Sequence, residues 1–165
     1  MTNEVTVNLS GLLEVEQRLI DMGPEIGFKA ARSGLMKASL PMFKAAKRNA
    51  LAVRDSGALA MAMGRWSRKA GRSGTGGRTT VVAVQIGPRS KNKRALALWN
   101  AEHKQKRPAR ALRHAHLAEY GSASGRATPY LRPAFRSTAD QVVRNFGKET
   151  QKAIMRFGAK QTVRR

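Results

Sequence analysis

The chain has 165 residues, with 32 Lys and Arg against 10 Asp and Glu, a formal charge of +22 and 41% hydrophobic residues. That length suits a single domain, residues 1–165, with enough buried surface for a real core. The absence of cysteine excludes disulfides, Cys-based zinc sites and thiol catalysis. No apolar run approaches the ~18 residues of a membrane span. The N-terminal MTNEVTVNLSG lacks the basic and apolar regions of a signal peptide, so the expected site is the cytoplasm unless a particle carries the chain out.

Residues 4 to 8 alternate, Val5 and Val7 against Thr6 and Asn8, and predict a short strand. Leu9, Leu12, Leu13, Glu16, Leu19 and Ile20 recur at helical spacing, with Asn8 or Ser10 as a cap. Gly23-Pro24 ends that helix and starts a second, over about 24–50. In it Phe28, Leu35, Met42 and Asn49 fall seven apart beside Ala31, Ala38 and Ala45, and Pro41 predicts a kink. Asp55-Ser56-Gly57 signals a turn. Leu59, Met61 and Met63 then alternate with Ala60, Ala62 and Gly64, which is compatible with a strand, although Ala and Met also suit a helix.

Residues 68 to 78, RKAGRSGTGGR, cannot build a core and predict a mobile loop. The β-branched run TTVVAVQI at 79–86 is the best strand, ended by Gly87-Pro88. Residues 115 to 120 alternate and read as a further strand, followed by a turn-rich link over 121–128. A last helix is expected over about 133–157, with Phe135, Val142, Phe146, Ala153 and Phe157 as its buried stripe. The fold class is α+β: a small antiparallel sheet, two longer helices and basic mobile loops.

Charge is concentrated in the middle: fourteen basic residues and one acid lie between Asp55 and Glu119. A polyanion is the default partner of such a chain. The stretches 65–78 and 89–113 suit phosphate contacts, which need no fixed spacing. Candidate DNA-facing residues there are Arg65, Arg68, Lys69, Arg72, Arg78, Lys91, Lys93 and Arg94. The same runs suit acidic protein neighbours equally well. Trp66, Trp99 and Tyr120 are too scattered to be base-stacking platforms.

Catalytic patterns are weak. His114 and His116 would share one face of a strand, but two ligands fall short of a metal site and Glu119 would point to the other face. Residues 71 to 77 are Gly-rich without the spacing of a phosphate-binding loop. Glu14 and Glu16 lie two apart on a helix and do not face each other. The expectation is a protein that is no enzyme, with no cofactor and no metal.

The segment HLAEYGSASGRATPYLRPAF is the most specific in the chain. It resembles a family of small tailed-phage proteins, the neck or tail-completion proteins of long-tailed phages, related to minor tail protein Z of lambda-like phages. The likeness rests on Glu119-Tyr120-Gly121-Ser122 and on Pro129-Tyr130-Leu131-Arg132-Pro133-Ala134. Leu9-Ser10-Gly11-Leu12, the helix ending AAKRNA, Asp55-Ser56-Gly57-Ala58-Leu59 and Gln85-Ile86-Gly87-Pro88 resemble the family in the same order. Leu51 stands about where the family often has a proline, and 89–113 is longer and more basic than expected.

The resemblance implies a virion subunit in a sixfold homo-oligomeric ring at the neck, assembled in the host cytoplasm. Its partners would be the head-completion or connector protein, the tail terminator or tail tube, and phage DNA held without sequence preference, with no membrane. The prolines stiffen the path into the last helix and Gly121 permits positive φ, so an exposed elbow is expected. Its interface candidates are Glu119, Tyr120, Gly121, Tyr130, Leu131, Arg132 and Pro133. The alternative is a sequence-independent nucleic-acid-binding protein of nucleoid or packaging type.

Overall fold

The computed structural model describes residues 10–53, 58–70, 81–89, 109–123 and 125–162. The expected strand at 4–8, the turn at 55–57, Gly71 to Gly77 and most of the basic stretches lie outside them. Among the described residues the fold is α+β, with six helices and one two-stranded antiparallel sheet. Helix α1 spans Ser10–Asp21, α2 Pro24–Ala38, α3 Leu40–Ala52 and α4 Ala58–Ala62. Strands β1 (Met63–Ala70) and β2 (Val81–Pro88) follow, then α5 (Ala109–Tyr120) and the long α6 (Leu131–Thr162).

The break at Gly23-Pro24 falls as expected. Gly23 takes φ 76° and donates its N–H to the Ile20 carbonyl, and Pro24 opens α2. The expected helix over 24–50 is instead two helices. Pro41 has no N–H to return to the preceding turn, so the chain stops at Ala38 and restarts with Pro41 in the first turn of α3. Ser39 closes the end of α2, its amide bonding the Leu35 carbonyl and its hydroxyl the Met36 carbonyl. At 58–62 the helical preference of Ala and Met prevails, and alternation becomes strand only from Met63. Strand β1 then takes residues 68–70 out of the expected loop, and the Arg89 amide extends the pairing to the Ala62 carbonyl at 2.8 Å.

Residues 115–120 are helix rather than strand. ARALRHAHLAEY holds no β-branched residue and is rich in Ala, Leu and Arg, so helix propensity decides where six residues of alternation cannot. Helix α6 begins before and ends after its predicted bounds.

Contacts group into two compact units, residues 1–40, 66–85 and 139–165, and residues 41–65 and 86–138. In the first, Val15, Ala30, Ala153 and Ile154 form the core, with Leu19, Met22 and Phe157 against it. Leu13 and Ile20, expected in the stripe of α1, are 68% and 62% exposed: the buried row is Val15, Leu19 and Met22. In the second, Ala45, Ala46, Ala50, Leu59, Ala60, Met63, Ala115, Tyr130 and Ala134 are packed together. Phe135, assigned to the buried stripe, is 59% exposed, because Ala134 is the α6 residue that enters this core.

Helices α2 and α6 touch at Gly34. A Cβ built there would lie 2.7 Å from the Thr150 Cα and 2.8 Å from its amide nitrogen. Thr150 is fully buried and its hydroxyl has no hydrogen-bond partner among the described residues. Around this crossing Arg156 bonds the Ser33 hydroxyl, and Glu149 pairs with Lys152 at 2.8 Å and Lys37 at 3.8 Å. Gly34→Ala is therefore expected to lower stability by about 1–3 kcal/mol, as overpacking does. Thr150→Val, which removes an unpaired buried hydroxyl at constant shape, is expected to leave it unchanged or raise it. Urea unfolding of both variants checks the pair, and a Gly34→Ala protein as stable as wild type would show that the helices do not touch there.

Candidate partner interface at the Glu119 elbow

Helix α5 ends in a left-handed turn at Gly121, φ 84°, whose N–H reaches the Leu117 carbonyl at 2.7 Å. A Cβ at Gly121 would crowd the Gly125 carbonyl oxygen and the Ala127 amide, both at 3.2 Å. Ser122 and Gly125 exchange backbone hydrogen bonds, and Thr128 donates to the Ala118 carbonyl at 2.8 Å. These bonds turn the chain back on α5 so that Pro129 and Tyr130 arrive beside Glu119.

Glu119 is 3% exposed, and its carboxylate is occupied by one task. Oε2 accepts from the amides of Tyr130 and Leu131, each at 2.9 Å, and Oε1 accepts from the Arg132 amide at 3.0 Å. The first four N–H positions of a helix have no intrahelical acceptor. Here three of them bond Glu119, and the fourth belongs to Pro133, which has no N–H. The whole start of α6 is thus satisfied by one side chain and one proline. The helix dipole adds a favourable positive end to the same carboxylate.

Burial alone would push the Glu119 carboxyl up. The amides of Leu131, Tyr130 and Arg132, and the charge of Arg132, outweigh it and hold the group below the ordinary carboxylate value. The Arg132 guanidinium stands 3.8 Å from Oε1 and is itself half-exposed, so this ion pair is a minor contribution. The same guanidinium lies over the Tyr120 ring, 4.7 Å from its centroid.

The structure divides the seven elbow candidates. Tyr130 is 1% exposed, so it is a core residue and not part of an exposed elbow. Its ring lies among the alanines of α3, α4 and α5, which leave room for one large side chain. Burial, then the charges of Glu119 and Tyr120, push its phenol up to about 12, so it stays neutral. Glu119 is equally buried, Leu131 is partly buried against the core, and Gly121 shapes the turn. Tyr120 (69% exposed), Arg132 and Pro133 remain on the surface. The sequence reading missed two parts of this site. Asn49 donates to the Tyr130 carbonyl at 3.1 Å, and the signal was a polar residue within the sevenfold apolar row. Phe135 joins the exposed face because its neighbour Ala134 is the residue turned into the core.

The other candidates are not gathered here. Arg65 is partly buried in β1 with its guanidinium over the Phe43 ring, and burial lowers its pKa. Arg68 and Lys69 belong to β1, and Trp66 is partly buried there. Arg72, Arg78, Lys91, Lys93, Arg94 and Trp99 lie outside the described residues. His114 and His116 stand on a helix, where residues two apart diverge, so they do not share a face. Among the described residues no group of three or more His, Asp or Glu is placed to hold a metal ion. No helix among them is long and apolar enough to cross a membrane.

No family model, no curated protein and no solved structure matches the chain.

Because the folded pKa of Glu119 is depressed, its stabilisation is full above the ordinary value of about 4.3 and is lost as the pH falls through the lower folded value. Glu119→Gln places an NH2 donor against amide donors and is expected to cost about 3 kcal/mol at neutral pH. The gap between wild type and variant should close in acid. Denaturant unfolding from pH 7 to pH 3 measures it. A gap that is absent, or that does not change with pH, would contradict the assignment.

Proposed function

We propose that the chain is a structural subunit of a tailed-phage head–tail junction, a neck or tail-completion protein that forms a sixfold ring. In that place it joins the head-completion or connector protein to the tail terminator or tail tube around the DNA channel. The observation that carries the reading is the Glu119 elbow. The segment with the family resemblance, residues 116–135, is one continuous device: a carboxylate that binds the start of α6 and sets Tyr120, Arg132 and Pro133 outward. A rigid surface with an aromatic and an arginine at its centre is what protein interfaces favour.

Two further features support it. Leu13, Ile20, Leu51, Tyr120, Phe135 and Met155 are large apolar side chains left exposed, which suits a subunit that meets neighbours. A charge of +22 per chain, repeated around a ring, makes a positive collar in which DNA passes by loose contacts. The free nucleic-acid-binding alternative accounts for the charge and leaves the elbow without a purpose.

Deletion of the gene from the phage that carries it is expected to yield filled heads and finished tails that stay apart, with joining restored by a plasmid copy. Electron microscopy of the lysate reads the outcome. Normally joined, infectious particles from the deletion would overturn the proposal. Recovery of the protein on bulk nucleic acid and never on particles would favour the alternative.

A further inference from the structure

The second unit is far more basic than the chain as a whole. Residues 41–65 and 86–138 hold seventeen Lys and Arg against three acids, Asp55, Glu102 and Glu119. Among the described residues Glu119 is the only carboxylate of this unit, and three amides occupy it. The described surface of the unit therefore offers cations and no free carboxylate.

At the elbow those cations are organised. Arg132 is held over the Tyr120 ring, while its distance to Glu119, 3.8 Å, is too long for a hydrogen bond. Its guanidinium makes no hydrogen bond among the described residues, so its donors are oriented and unspent. Arg136 follows one turn later, exposed and without a partner among the described residues. Four residues of helix rise about 6 Å. Alternate residues of an extended chain are about 6.6 Å apart on one face. Tyr120, 69% exposed, lies under the Arg132 guanidinium, and Phe135, 59% exposed, is three residues after Arg132 on the same helix and so its surface neighbour.

We infer that this face, Tyr120, Arg132, Phe135 and Arg136, docks an extended acidic segment of a partner protein, with carboxylates on alternate residues and at least one apolar side chain. The inference rests on the reading of the elbow as a partner interface and names the chemistry of the partner. Carboxylates spaced along a strand meet the two arginines in charge-assisted pairs. The apolar side chain covers the rings. A phosphate backbone would satisfy the arginines and leave both rings exposed to water, and the face of Tyr120 under Arg132 is closed to base stacking.

The test uses the full-length protein at about 0.15 M salt, where long-range attraction is largely screened. The probe is a labelled ten-residue peptide with glutamate at alternate positions and a central phenylalanine, followed by fluorescence anisotropy. Arg132→Gln together with Arg136→Gln should weaken binding about tenfold or more, and Phe135→Ser several-fold. Oligo-dT of the same length should bind these variants within about twofold of wild type, since most basic residues remain. Matching thermal unfolding curves establish that the variants are folded. Unchanged peptide affinity in the double variant overturns the inference. So does a peptide whose phenylalanine can become alanine without loss, and so does an oligo-dT affinity that falls as far as the peptide's, which would make the face a nucleic-acid surface. Loss of the inference in this way, with unjoined heads and tails still produced by the deletion, would leave the neck assignment standing. Peptide binding by a protein that never enters particles would do the reverse.

Discussion

A carboxylate buried away from water is costly unless it is fully bonded, and a helix start exposes amides that need an acceptor. Glu119 and the first turn of α6 resolve each other's problem. Three amides between 2.9 and 3.0 Å offset the desolvation of the carboxylate, and Pro133 removes the one remaining donor. Much else depends on this arrangement. It closes the turn from Gly121 to Pro129, seats Tyr130 as the largest fully buried side chain among the described residues, and sets where α6 begins. A core built mainly of alanine has little area per residue to bury, so the Tyr130 ring matters more here than one aromatic would in a leucine-rich core.

The same constraint shapes the surface. A carboxylate spent on backbone amides does not neutralise neighbouring cations, so Arg132 is fixed by a ring and retains its donors. Elsewhere acids are scarce, and those of the first unit are partly used: Glu25 on Lys29, and Glu149 on Lys152 and Lys37. A chain with this balance resists association with its own kind until partners or counter-ions bring negative charge. That property fits the proposed role as a component built into a larger structure.

How much of this was legible in the sequence differs from element to element. The Gly23-Pro24 break, α1, β2 and the last helix follow from glycine and proline chemistry, from period and from β-branching, which act locally. The strand assigned to 115–120 failed because the six alternating residues Ala-His-Leu-Ala-Glu-Tyr also fit about a turn and a half of helix, and propensity is the stronger signal there. The residues of the elbow were found as a motif, but their roles were not. Glu119 and Tyr130 are eleven positions apart, and only the return of the chain at Gly121 shows that the acid faces inward and the tyrosine is core. Asn49 is 81 positions from the carbonyl that it bonds, and no local pattern reports such a partner.

The most direct test of the account follows the amide protons of Tyr130, Leu131 and Arg132 by nuclear magnetic resonance as the pH falls from 7. If one buried carboxylate accepts from all three, their shifts move together, with a single midpoint below the ordinary carboxylate value and in step with the Glu119 side-chain carbon. Three amides that do not respond, or that respond at the ordinary value and independently of one another, would show that Glu119 does not hold the start of this helix.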